Sequence, residues 1–88
     1  MTEVTIELYG IPRQRAGIAQ MAVAACTAAD ALQQLAAACP NLDGLLQKNG
    51  ALSPHYLLSL NGERFLSDLQ ERVPPGTRLL LLAADAGG

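Results

Sequence analysis

The chain closes on a run of four leucines, Leu79 to Leu82, set between a Pro74-Pro75-Gly76 turn and a tail of small residues. A short apolar run bounded by turn residues suits a strand buried in a core. Nothing large follows it: Ala83, Ala84, Asp85, Ala86, Gly87 and Gly88 complete the sequence. The fold must therefore place its last strand deep inside and still let a thin tail out. Six extended residues reach roughly 20 Å at about 3.3–3.6 Å each. Glycine at the end permits a narrow slot and backbone angles closed to other residues. Taken alone, such an end also reads as a frayed terminus.

The other segments say what surrounds that strand. Val4, Ile6 and Leu8 alternate with Thr5, Glu7 and Tyr9, which predicts a half-buried first strand over Thr2 to Tyr9. Gly10 to Gly17 is polar and contains Pro12, Arg13 and Arg15, and reads as a turn. Ile18 to Ala25 alternates again, so the first two strands form a hairpin. Thr27 and Asp30 resemble a capping box, and Ala28, Ala31, Leu32, Leu35, Ala36 and Cys39 then follow helical spacing until Pro40. This predicts a helix over Ala28 to Ala38 with Leu32 and Leu35 inward.

Asn41 to Ser53 reads as a long connection in which Leu42, Leu45 and Leu46 make a short helical turn under the core. His55 to Leu60 is a third strand, with Tyr56, Leu58 and Leu60 on one face and Leu57 and Ser59 on the other. Asn61-Gly62 is a strong hairpin signal, leading to a short strand over Glu63 to Phe65. Ser67 or Asp68 caps one turn that carries Leu69 and Val73 inward. Arg78 to Leu82 completes the set. The fold class expected is α+β: a β-grasp, ubiquitin-like, with a mixed four- to five-stranded sheet and one main helix packed across it. The first and last strands lie parallel at its centre. Residues 1–82 form the domain and 83–88 a flexible Gly-Gly tail.

Composition narrows the function classes. A chain of 88 residues makes one domain, and with 50% hydrophobic residues and only 16% charged it folds around a core. A net charge of −2, with the basic residues scattered, gives no footprint for nucleic acid. No apolar run approaches a membrane span or a secretion signal, so a cytoplasmic protein is expected. Two cysteines, Cys26 and Cys39, and one histidine, His55, are too few for a zinc site, and both cysteines are expected as buried small hydrophobes. They also assemble no nucleophile-and-base arrangement. His55 is read as a surface residue at a strand start, and Arg13 and Arg15 as a solvated loop.

Three stretches then resemble the bacterial sulfur carriers, the ThiS/MoaD family that includes the small subunit of molybdopterin synthase. LLSLNGERF (Leu57 to Phe65) resembles that family's apolar strand followed by V-N-G-E. VPPGTRLLLL (Val73 to Leu82) resembles its last turn and strand, although Thr77 stands where the family usually carries an acid. AGG (Ala86 to Gly88) resembles its Gly-Gly end. The resemblance implies that the Gly88 carboxylate is the reactive site, adenylated and converted to a thiocarboxylate. Gly87, Ala86 and Asp85 thread the partner's slot. The implied partners are a ubiquitin-activating-enzyme-like adenylating enzyme, which uses ATP, a persulfide sulfur donor, and the molybdopterin-synthase large subunit or another acceptor. No cofactor and no metal is expected on the chain, which acts as a carrier and not as an enzyme, though it can count as a synthase's small subunit. Molybdopterin is the pathway expected. Carriage of sulfur for thiamine, cysteine or another metabolite, ubiquitin-like modification of lysines, and a plain β-grasp interaction module remain alternatives. If Leu79 and Leu81 point inward, Leu80 and Leu82 point outward. Together with Tyr9 and Phe65, and with Leu57 at the edge, they form the expected docking patch.

Overall fold

The computed structural model describes residues 3–42 and 44–84. Five strands and two helices follow one another as β1 (Glu3–Leu8), α1 (Ile11–Ala16), β2 (Gln20–Ala24), α2 (Ala28–Ala38), β3 (Tyr56–Leu60), β4 (Arg64–Phe65) and β5 (Arg78–Ala83). The sheet order is β2-β1-β5-β3-β4. β1 and β5 run parallel, Ile6 beside Leu79 and Leu8 beside Leu81, and the remaining neighbours are antiparallel. The leucine strand is therefore paired on both edges, as its apolar composition requires.

One face of the sheet is the core. Val4, Ile6, Leu8, Leu58, Leu79 and Leu81 are each 0–1% exposed, and so are Leu32 and Leu35 of α2. Thr27 caps α2, its hydroxyl accepting from the Asp30 N–H at 3.2 Å. Gln34 ties the helix to β2 by donating to the Ala24 carbonyl at 2.7 Å. Asn61 and Gly62 both take positive φ, 56° and 74°, as a type I′ hairpin demands, and the Glu63 N–H closes the turn on the Leu60 carbonyl at 2.9 Å. Asp68 accepts from the Gln70 N–H at 3.0 Å, and Leu69 and Val73 are buried. The side chain of Thr77 is not a vacant acidic position: it is 2% exposed and donates to the Pro74 carbonyl at 2.6 Å. No described helix is long and apolar enough to cross a membrane.

Three expectations are corrected. The stretch from Gly10 to Gly17 is a short helix and not a turn. Gly10 (φ 62°) admits the chain, Pro12 sits buried in the first turn with its φ already helical, and Gly17 (φ 77°) ends it with its N–H on the Arg13 carbonyl. The leucines of the long connection do not make a helical turn. Leu42 and Leu45 are buried by successive tight turns, Gly44 takes φ 77°, and Leu46 instead bridges Leu52 across an antiparallel pair. Cys26 is exposed, because its backbone belongs to the bridge region where Val73 N–H reaches the Cys26 carbonyl at 2.9 Å, while Cys39 is buried as expected.

Candidate functional site

The second face of the sheet carries no helix, and strand register decides what it shows. Paired residues share a face, so the register sets Glu7, Leu80, Ser59 and Phe65 in one row across β1, β5, β3 and β4. One step toward the end of β5, Leu57 pairs with Leu82, and continuing the parallel register puts Tyr9 level with Leu82 on the other side. The outward parity expected for Leu80 and Leu82 is thus observed: both are part-exposed, while Leu79 and Leu81 are fully buried. Around them Phe65 is 62% exposed, Tyr9 41% and Leu57 39%. Five apolar side chains gather at the end of the sheet where the chain leaves β5.

Polar contacts frame this patch. The Tyr9 hydroxyl donates to Glu7 Oε1 at 2.6 Å, and Arg78 Nη1 approaches Glu7 Oε2 at 3.4 Å. The bond to Glu7, followed by partial desolvation and the Glu7 charge, raises the Tyr9 phenol above its ordinary value, so it stays a neutral donor at physiological pH. Leu80 lies over the hairpin: a Cβ at Gly62 would come 3.7 Å from its methyl. Arg64 pairs with Glu71 behind β4, holding the short strand that presents Phe65.

A cavity of about 410 Å³ opens beside the root of the tail, lined by Ile11, Arg15, His55, Tyr56 and Ala83. Arg15 is not a solvated loop residue. It lies in the last turn of α1, and its Nη1 donates to the Tyr56 hydroxyl at 2.9 Å. His55 is exposed just before β3, as expected, and its carbonyl accepts from the Ala84 N–H at 2.8 Å, which carries the β5 ladder one residue past the strand. The tail positions Asp85, Ala86, Gly87 and Gly88 lie outside the described residues.

Sequence reasoning brought Tyr9, Phe65, Leu80 and Leu82 to one surface, and the structure places them together there. It left out three exposed apolar residues, Ile11 (46%), Ile18 (37%) and the central member Leu57. Strand parity opposite Tyr56 and Leu58 already pointed Leu57 outward. Ile11 and Ile18 depended on recognising α1.

A five-stranded sheet with a parallel central pair, one long helix across its back, and the C-terminal strand at its centre is a ubiquitin-like β-grasp of the sulfur-carrier type. The solved neighbours agree. SAMP1 from Haloferax volcanii superposes with a TM-score of 0.82 at 28% identity, over 98% of this chain and 99% of that one. The small archaeal modifier protein 1 of Methanosarcina acetivorans gives 0.83 at 21% identity over 100% and 98%. A molybdopterin converting factor subunit 1 from Pyrococcus furiosus gives 0.76 at 13% over 94% and 98%. At such identities the last two speak for the fold alone. No family model and no curated protein matches the sequence.

Proposed function

We propose that this chain is a sulfur carrier whose Gly88 carboxylate is activated and loaded by partner enzymes, with molybdopterin formation as the destination of the sulfur. The observation that carries this reading is the juxtaposition of two features. An apolar, helix-free face of Tyr9, Leu57, Phe65, Leu80 and Leu82 lies at the end of the central strand, and the strand runs from there into AADAGG. A docking face beside a glycine-ended tail is what a carrier needs. The face binds the enzyme and the tail delivers the end of the chain.

The chemistry follows from the carboxylate. Its pKa of about 3.3–3.7 keeps it ionised, and its oxygen does not leave. Attack of one carboxylate oxygen on the α-phosphate of ATP releases pyrophosphate and forms an acyl-adenylate. A persulfide displaces AMP to give an acyl disulfide. A thiol then cleaves the sulfur–sulfur bond, is itself oxidised to a disulfide, and leaves the thiocarboxylate on Gly88. The carrier supplies no catalyst to these steps. Its residues orient: the apolar face docks, Asp85 and Ala86 thread the slot, and Gly87 permits the conformations that the slot requires.

A second reading, ubiquitin-like attachment of Gly88 to lysines, is favoured by the likeness to small archaeal modifier proteins at 28% and 26% identity. It shares the adenylation step and differs in the final acceptor, an amine instead of sulfur. The test of the shared step is ATP–pyrophosphate exchange with the adenylating enzyme of the same genome. The native chain supports exchange, and the chain lacking Gly88 does not. Equal exchange by both would overturn the reading. Peptide mapping of cellular protein for glycine remnants on lysine separates the two acceptors.

A further inference from the structure

Docking through the open sheet face leaves the cavity at the root of the tail without a role. That cavity, about 410 Å³, has Ile11 and Ala83 as apolar wall and Arg15, His55 and Tyr56 as polar wall, with no acidic residue among its lining. Arg15 is placed there by α1 and by its bond to Tyr56, whose ring is 5% exposed and immobile in the core. A guanidinium has five N–H donors in a fixed fork, and the phenol takes one of them. The natural complement of such a group is a carboxylate, bound by charge-assisted hydrogen bonds.

The chain itself brings one. Tyr56 pairs with Ala83, and the Ala84 N–H reaches the His55 carbonyl at 2.8 Å, so the β5 ladder continues to the pair Ala84–His55. Ala83 lines the cavity. Residues two apart on an extended chain share a face, so the next position with the orientation of Ala83 is Asp85, about 7 Å further on. Asp85 is the only acid after Glu71 in the sequence. We infer that Asp85 seats its carboxylate in this cavity against the Arg15 guanidinium, so that the tail leaves the body as an anchored segment.

A carboxylate from another molecule would have to compete with one already tethered, and short tethers give effective concentrations in the millimolar range. The consequence is geometric. With Asp85 held, the projecting segment is Ala86–Gly88, roughly 10 Å long at about 3.3–3.6 Å per residue, and it starts at a defined point beside Tyr9 and Leu82. The inference does not rest on sulfur chemistry, and its test reads Asp85 directly.

The experiment is a ¹³C-detected NMR titration of the Asp85 carboxyl in the full chain with its native C-terminus. The midpoint is expected about half a pH unit or more below the ordinary aspartate value of about 3.9. Arg15→Gln returns it to the ordinary value, and Arg13→Gln does not. The ¹⁵N heteronuclear NOE of Ala86 falls equally in Arg15→Gln and Asp85→Asn. Should Arg15→Gln fail to fold, the native chain decides: the Arg15 Nε–Hε signal shifts with the Asp85 midpoint. An ordinary Asp85 midpoint, an effect of Arg13 in place of Arg15, or an Arg15 signal blind to Asp85 would each overturn the pairing.

Discussion

Replacing Phe65 by alanine tests the docking face where it is most exposed. Fully burying a phenylalanine or leucine side chain is worth about 1.5–3 kcal/mol. Phe65 has 62% of its surface still open, so covering it with a partner contributes about 0.9–1.9 kcal/mol. At about 1.4 kcal/mol per tenfold, Phe65→Ala weakens binding roughly 5- to 25-fold. Leu57, 39% exposed, has less left to bury, and Leu57→Ala costs about 3- to 8-fold by the same reasoning. The assay is isothermal calorimetry against the adenylating enzyme, with a thermal melt of the free carrier beside it. Because Phe65 contributes little to the core, its melt moves by no more than an exposed-site change does, within about 0.5 kcal/mol. Unchanged affinity in both variants, or a loss at Leu57 larger than at Phe65, would refute the reasoning that the open surface of this face is what docking buries.

The remaining expectations are independent of one another. Leu82→Arg keeps the melting temperature and lowers partner affinity more than tenfold, because it places a charge at the centre of the apolar rows; calorimetry reads it. Leu35→Ala removes a fully buried side chain between α2 and the sheet and costs ~2–5 kcal/mol, a melting shift of at least about 8 °C for a domain of this size. Glu7→Gln removes the charged acceptor of Tyr9, and the phenol titration followed by NMR moves down toward its ordinary value of about 10. Gly87→Ala leaves the melt unchanged and slows pyrophosphate exchange tenfold or more, since a misplacement of about 1 Å at the reacting centre costs on the order of a hundredfold.

Much of the fold could be read from local pattern because the decisive residues are punctuation and parity. Thr27 and Pro40 bracket α2, Asn61-Gly62 announces the hairpin, and alternation in β1 and β3 tells inside from outside. The docking rows followed from the same parity. What escaped depended on contacts distant in sequence. α1 is only six residues long and too short to show a period, and its helicity comes from Gly10 and Gly17 at positive φ with Pro12 packed between. Arg15 reads as a loop charge until Tyr56, 41 positions away, meets it. Cys26 lies on no periodic face, so its exposure followed from the Val73 bridge alone.

The central claim, that Gly88 carries sulfur, is tested most directly by the intact mass of the chain purified from its own cells with the native C-terminus. The account predicts a species heavier than the sequence mass by one sulfur minus one oxygen, confined to the terminal peptide and absent when Gly88 is deleted or when the adenylating enzyme is removed. A terminus that is always an unmodified carboxylate, in cells starved of no sulfur source and holding an active adenylating enzyme, would contradict it.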